Sequence, residues 1–130
     1  MNQRLVQIAI VVDDYDKAIE YYTNILGFLL EEDTIMSKSK RWVIVKPSGK
    51  NSCKIVLAKA TNEEQLSRVG NQTGGRVFLF LYTDDAKRDF ENYQSMGVEF
   101  IRPLTKEPYG LVAVFKDLYG NLWDLIQPKT

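Results

Sequence analysis

The sequence predicts an α+β fold that consists of two tandem βαβββ modules, and an internal repeat is the main reason. Residues 7–14 read QIAIVVDD and residues 78–85 read FLFLYTDD, so one apolar run with a closing pair of acids occurs twice. A dozen residues with helical spacing follow each copy and end at Gly27 or Gly97. Three strand-like stretches then complete each half.

The two helices are predicted over DKAIEYYTNILG in the first half and AKRDFENYQSMG in the second. Both runs place apolar side chains three or four positions apart, which is typical of an amphipathic helix. The preceding aspartates suit the N-terminal cap of a helix, and Gly27 and Gly97 suit the left-handed conformation that often follows its last turn.

The strands after these helices are predicted over FLLEED, RWVIVKP and CKIVLAKA in the first half, and over VEFIRP, GLVAVF and NLWDLIQ in the second. Cys53 is thus expected to be a strand residue. The modules span residues 4–60 and 76–127, and a polar linker at 61–75 is predicted to contain one short helix, NEEQLSRVG. A chain of 130 residues with 45% hydrophobic residues suits a single domain, residues 1–130.

Strand alternation predicts which side chains share a face, because successive residues point to opposite sides of a sheet. In the fifth strand Val77, Leu79 and Leu81 are expected on the helix side, with Phe78, Phe80 and Tyr82 on the other side. In the last strand Asp124 is expected to point away from the side that holds Trp123, and to lie among Leu122, Ile126 and Phe78. The helix-free side is therefore predicted to be aromatic with a few polar groups, which is the composition of many small-molecule sites.

The composition excludes several classes of function. The chain has 17 basic and 17 acidic residues, so it has no overall charge that would attract nucleic acid or anionic lipid. It has no histidine, which excludes Ser-His-Asp hydrolysis, two-histidine iron sites and histidine-bearing zinc sites. A single cysteine and the lack of a membrane-spanning run or a signal-peptide pattern predict a cytoplasmic protein.

The repeat, with DDYDKAIEYYTNILGF near the start and DLYGNLWDLIQ near the end, resembles the vicinal oxygen chelate superfamily. That family includes glyoxalase I, bleomycin resistance proteins, fosfomycin resistance proteins and extradiol dioxygenases. The resemblance extends from about Arg4 to Gln127. It implies that the two modules form an eight-stranded curved-sheet cup with the helices outside, and that the protein is a homodimer.

The resemblance also implies four positions for metal ligands, and only two of them carry oxygen donors. The positions fall on Gln7, Val56, Phe78 and Asp124, of which Gln7 and Asp124 can bind a cation. Two oxygen ligands would hold a divalent ion weakly compared with a four-ligand site. Extradiol dioxygenase chemistry needs two imidazoles as well as a carboxylate, and the sequence has no imidazole.

The preferred hypothesis is therefore a protein that binds a small organic molecule in an aromatic cup, without a tightly bound metal. Asp124 is the candidate catalytic residue, as a base or as the acceptor that orients a donor group of the ligand. The competing interpretation of Asp124 is structural: an ion pair with Arg76 or Lys54, or a hydrogen bond with Gln7. The candidate ligand-binding residues are Gln7, Trp42, Arg76, Phe78, Phe80, Tyr82 and Tyr109.

Two alternatives stay open at this point. One is a metal-dependent lyase or isomerase of the glyoxalase I type, in which Gln7 and Asp124 would bind nickel, zinc or manganese. The other is a cup filled by its own side chains, in which case the protein would serve only as a structural partner. In either case the nature of the ligand or substrate does not follow from the sequence.

Overall fold

The computed structural model describes residues 1–130, which form two compact units, Met1–Val69 and Gly70–Thr130. The elements of the first unit are β1 (Gln7–Val12), α1 (Tyr15–Glu20), a π-helical segment (Tyr21–Ile25), β2 (Leu29–Ile35), β3 (Arg41–Lys46), β4 (Lys54–Lys59) and α2 (Glu63–Ser67). Those of the second unit are β5 (Val77–Tyr82), α3 (Ala86–Ser95), β6 (Phe100–Glu107), β7 (Gly110–Lys116) and β8 (Leu122–Pro128).

Each unit contains one four-stranded sheet with the same topology. The strand orders are β1-β4-β3-β2 and β5-β8-β7-β6, and in each sheet the first strand pairs in parallel with the last strand of its module. The predicted α+β fold with two tandem βαβββ modules is confirmed. None of the helices has the length and apolar character needed to cross a membrane.

The core of the first unit lies between α1, the π-helical segment and one face of the sheet. Asp14 caps α1 by accepting a hydrogen bond from the backbone N–H of Lys17 at 2.9 Å. On the sheet, Ile10, Val43 and Val45 have no exposed surface, and Tyr22 is equally buried. In each unit, we call the side of the sheet that packs against the helix the helix side, and the opposite side the helix-free face.

The second half of the first helix differs from the prediction, because residues 21–25 form a π-helix instead of continuing α1. The backbone N–H of Leu26 donates to the carbonyl of Tyr21, five residues earlier, at 3.1 Å. The hydroxyl of Thr23 donates to the carbonyl of Ile19 at 2.7 Å, a side-chain bond that competes with the regular helical pattern. The wider turn leaves both Tyr22 and Leu26 buried.

The core of the second unit is aromatic and lies between α3 and its sheet. Asp85 caps α3 through the backbone N–H of Arg88 at 3.0 Å. The ring of Phe115 stacks on Trp123 with centroids 5.8 Å apart, and Tyr93 of α3 meets Phe115 edge-on at 5.4 Å. Because Trp123 and Phe115 face α3, their neighbours along β7 and β8 face the other way.

A buried carboxylate organises the turn between β7 and β8. Oδ1 of Asp117 accepts three backbone hydrogen bonds, from Tyr119, Gly120 and Asn121, at 3.0–3.1 Å. Its Oδ2 accepts hydrogen bonds from Asn121 Nδ2 at 3.0 Å and Trp123 Nε1 at 3.1 Å. Asp117 therefore fixes both the turn and the indole at the start of β8.

Two details of the strands correct the sequence predictions. Cys53 is exposed and precedes β4, so it is not a strand residue. The pairing of β5 with β8 shifts between Val77 and Leu79, which places a β-bulge at Phe78. Val77 is consequently the partner of Leu122, and the alternation predicted for Val77 and Phe78 does not hold.

Candidate functional site

The helix-free face of the second sheet carries a row of side chains that crosses all four strands. In register, Arg102 of β6 lies beside Val114 of β7, Val114 beside Asp124 of β8, and Asp124 beside Phe80 of β5. We call these four residues the Asp124 row. The sequence predicted Phe78 as a neighbour of Asp124, but the bulge gives that place to Phe80.

An adjacent row on the same face is apolar apart from its ends. Ile126 lies beside Val112 on one side and beside Tyr82 on the other, and Val112 pairs with Thr105. Tyr82 and Phe80 both belong to β5, an edge strand, and their side chains are 71% and 65% exposed. Two large aromatic side chains thus stand open to solvent on a hydrogen-bonded strand.

Asp124 is the polar centre of this surface. Its carboxylate forms no hydrogen bond or ion pair in the structure, although the residue is only partly exposed. Burial raises the pKa of Asp124 above its usual range, and the positive charge of Arg102 offsets part of that increase. Arg102 itself forms an ion pair with Glu107, so the oxygens of Asp124 keep their capacity to accept hydrogen bonds.

The raised pKa of Asp124 predicts a pH dependence of stability. The folded protein binds a proton at Asp124 more tightly than the unfolded chain does, because the pKa of this carboxyl is raised in the folded state. Ionisation of Asp124 therefore lowers the free energy of unfolding as pH rises past the usual range of an aspartate. Asp124→Asn removes the charge that burial disfavours. We expect the variant to be more stable than the wild type at pH 7 and to lose this advantage near pH 3.

Urea unfolding of both proteins between pH 3 and pH 7 measures this difference. Asp84→Asn is the matched control, since ion pairing with Arg88 lowers the pKa of the exposed Asp84. The control should change stability in the opposite direction. Equal stability of wild type and Asp124→Asn at all pH values would contradict the prediction.

The corresponding face of the first sheet has different chemistry. There the row consists of Glu32, Ile44, Val56 and Ala9, so Val56 stands where the second sheet has Asp124 and Ala9 where it has Phe80. The duplicated modules therefore share a topology but not a site. In the first-sheet row the carboxylate is Glu32 on β2, at the opposite edge from Ala9, and none of the four residues is aromatic.

The other residues proposed from the sequence do not join the Asp124 row. Arg76 is exposed and precedes β5, and Tyr109 lies in the turn between β6 and β7. In the first unit, Gln7 begins β1 beside Lys54, and Trp42 lies on β3 beside Thr34. Within the second unit, Arg76 forms no ion pair or hydrogen bond with Asp124.

Arg102 is a member of the row that sequence reasoning missed. The predicted strand VEFIRP ended at Pro103, whereas β6 continues to Glu107. The register of β6 also shifts between Phe100 and Arg102 and again before Thr105, so simple alternation does not assign its faces. The signal that could have found Arg102 is a basic residue directly after the apolar pair Phe100 and Ile101 in an edge strand.

The residues present do not fit a resident divalent metal. No group of three or more cysteine, aspartate or glutamate side chains that could bind a metal occurs in the structure. Of the two oxygen donors proposed from the resemblance, Asp124 lies in a row with the cationic Arg102, whose charge would repel a metal ion. The positions of Val56 and Phe78 supply no donor atom.

Comparisons with known proteins agree with this fold. The family model described as Glyoxalase/Bleomycin resistance protein/Dioxygenase superfamily matches residues 4–125. An uncharacterized protein of Shewanella frigidimarina is 55% identical over 98% of this chain and 95% of its own length. The crystal structure of UcmS2 is similar with a TM-score of 0.84 and 30% identity, over 97% of this chain and 98% of that one. The structure of TnmS3, an antibiotic binding protein from Streptomyces sp. CB03234, has a TM-score of 0.78 and 28% identity, over 98% of both chains.

Proposed function

The chain belongs to the Glyoxalase/Bleomycin resistance protein/Dioxygenase superfamily, and on that premise we propose that it binds a small organic molecule on the helix-free face of its second sheet. The observation that carries the proposal is the pair of exposed aromatic side chains, Phe80 and Tyr82, beside the unpaired carboxylate of Asp124. The similarity to TnmS3, an antibiotic binding protein, supports the same class of function.

The two aromatic side chains supply the apolar part of the proposed site. Phe80 and Tyr82 are two residues apart on one strand, so both point to the same face. On the same face, Ile126 of β8 lies beside Tyr82, and Val114 of β7 lies beside Asp124, so both add apolar surface next to the two rings. A planar or apolar ligand that covers these rings would remove a large apolar area from water, which is the main source of affinity in such sites.

Asp124 supplies the polar contact of the proposed site. As a carboxylate with free acceptor oxygens, it can accept hydrogen bonds from a hydroxyl, an amide N–H or an amine of the ligand. A hydrogen bond to a charged carboxylate is worth about 1.5–3 kcal/mol. Asp124 could also take a proton from such a group, but nothing adjacent to it completes a catalytic set, so we propose binding and not turnover.

The test is a binding measurement with the aromatic side chain removed. A library of aromatic and heteroaromatic compounds is first screened, with chelator present, for compounds that raise the melting temperature of the wild type. These compounds are then titrated by calorimetry into the wild type and into Phe80→Ala. We expect Phe80→Ala to weaken binding about tenfold or more, because burying one aromatic side chain contributes about 1.5–3 kcal/mol. Asp124→Asn should weaken ligands that carry a hydrogen-bond donor more than those without one.

Tyr109→Ala is the control, because Tyr109 is also an exposed aromatic residue but lies in the turn between β6 and β7. It should bind the same compounds as the wild type does. Equal weakening in both alanine variants would argue against the Asp124 row as the site. A library without any binder would refute the proposed function.

We also propose that two copies of the chain associate and that the protein acts in the cytoplasm. The support for association is exposed apolar surface at an edge of the first sheet. The edge strand β2 ends at Ile35, and both Ile35 and the next residue, Met36, have exposed apolar side chains. The single unpaired Cys53 suits a reducing compartment. Sedimentation at micromolar concentration should give twice the chain mass of 15.0 kDa, and a mass of one chain would refute the dimer.

A further inference from the structure

A cavity of about 560 Å³ is lined by residues of the first unit. Its wall is formed by residues 4–6 before β1, by Glu31 of β2, by Lys46 at the end of β3, and by residues 51–54 at the start of β4. Cavities of this size hold small organic ligands in other proteins. All residues of its wall belong to the first unit, whereas the Asp124 row consists of residues of the second unit.

The charges in the cavity do not balance. Arg4, Lys46 and Lys54 are cationic, and Glu31 is the only acidic residue in the wall. Nζ of Lys54 lies 2.9 Å from Glu31 Oε1, whereas Nζ of Lys46 lies 3.8 Å from Oε2. The ion pair of Lys46 with Glu31 is therefore the longer of the two, and Glu31 holds Lys46 less closely than it holds Lys54.

The fold forces the two lysines together. The antiparallel register pairs Ile44 with Val56 and Val45 with Ile55. Continued by one residue, it brings Lys46 next to Lys54, and both lysines contact Glu31. Like charges in that position destabilise a sheet unless an anion lies between them. The side chains of Lys46 and Lys54 are 31% and 40% exposed, so both are partly covered by the protein and neither is fully solvated.

Glu31 neutralises only part of this charge. Both lysines lower the pKa of the Glu31 carboxyl, Lys54 more than Lys46, so Glu31 is ionised at neutral pH. One carboxylate thus accompanies three cationic residues in the cavity wall, Lys46, Lys54 and Arg4. A second carboxylate, supplied by a ligand, would give Lys46 a closer acceptor and reduce the excess of positive charge.

We propose that this cavity binds a small organic carboxylate, with its anionic group between Lys46 and Lys54 and its apolar part against Leu5 and Val6. Both of these aliphatic side chains line the cavity and are exposed, at 79% and 50%. A ligand body that covers them would gain apolar burial in addition to the charged contacts. The inference does not depend on ligand binding by the second unit.

Cys53 makes the cavity testable without a known natural ligand. It is the only cysteine of the chain, it is exposed, and it lines the same cavity. A molecule in the cavity should therefore slow the reaction of Cys53 with iodoacetamide, an uncharged reagent. The probe is benzoate at constant ionic strength, with benzyl alcohol as its neutral counterpart and inorganic phosphate as an anion without an apolar body.

We expect benzoate to slow the alkylation of Cys53 to a saturating limit, and Lys46→Gln to require at least tenfold more benzoate for the same effect. Lys50→Gln removes the same charge from a nearby exposed lysine that does not line the cavity, and it should behave as the wild type does. Thermal unfolding of both variants verifies that they are folded. Benzyl alcohol and phosphate should protect Cys53 much less than benzoate.

Three outcomes would overturn the proposal. The first is no saturable protection by benzoate, and the second is an equal loss of protection in Lys50→Gln, which would reveal a general effect of net charge. The third is protection by benzyl alcohol or by phosphate as strong as that by benzoate. Equal protection by benzyl alcohol would remove the role of the lysines, and equal protection by phosphate would remove the role of Leu5 and Val6.

Discussion

Replacing Asp117 with alanine is expected to lower the free energy of unfolding by about 4 kcal/mol, the largest effect of a single side chain that we anticipate. The carboxylate of Asp117 is 95% buried and accepts five hydrogen bonds in the turn before β8. Alanine would leave the indole N–H of Trp123, the side-chain amide of Asn121 and three backbone N–H groups without their acceptor. Each such buried donor costs about 1–3 kcal/mol, and the individual costs are not additive.

Asp117→Asn separates the roles of the two carboxylate oxygens. The asparagine oxygen can still accept the three backbone bonds, but its NH₂ group would face the donors of Asn121 and Trp123. We expect an intermediate loss, about half that of Asp117→Ala. Urea unfolding followed by circular dichroism gives both values. A loss below about 1 kcal/mol in Asp117→Ala would show that the turn can reorganise its hydrogen bonds.

Replacing Gly70 with alanine is expected to destabilise the protein by about 3 kcal/mol, for two separate reasons. Gly70 has a φ angle of +77°, which side-chain-bearing residues adopt at a cost of about 1 kcal/mol. A Cβ atom at this position would also lie 1.8 Å from the carbonyl oxygen of Tyr119, so one of the two backbone segments would have to move. Tyr119 belongs to the turn that Asp117 organises, which limits such movement.

Gly74→Ala is the matched control for Gly70→Ala. Gly74 has a similar φ angle of +67°, but a Cβ atom there would meet no other atom within 4 Å. Its substitution should cost about 1 kcal/mol, which is the conformational part alone. The difference between the two variants in chemical denaturation then measures the steric part. Equal losses would mean that the contact with Tyr119 relaxes without cost.

The fold was predictable because its signals are local and occur twice. The repeated apolar runs, the aspartates that cap α1 and α3, and the positive φ angles of Gly27 and Gly97 agree with the sequence patterns that predicted them. The π-helical segment at 21–25 was not predictable in the same way. An apolar stripe indicates which residues are buried, but it does not distinguish a turn of 3.6 residues from a slightly wider one.

The candidate site was predictable only in part, because it depends on pairing between distant strands. Strand alternation predicted that the side chains of Asp124 and Trp123 point to opposite faces of the sheet, and that Phe80 and Tyr82 share one face. The register of the second sheet agrees with both predictions. It did not locate the bulge at Phe78 or the contribution of Arg102, since bulges arise from how two strands match and not from one strand alone. The proximity of Lys46 and Lys54 likewise depends on the register between β3 and β4, which neither strand determines alone.

The position of Trp123 has a practical consequence for studying the two units. Each unit contains one tryptophan, Trp42 in the first and Trp123 in the second. Their environments differ, because Trp123 is buried against Phe115 whereas Trp42 is partly exposed. Trp42→Phe therefore yields a protein whose fluorescence reports on the second unit alone, and Trp123→Phe yields the reverse. Emission spectra recorded during denaturation would show whether the halves unfold in one cooperative step or one after the other.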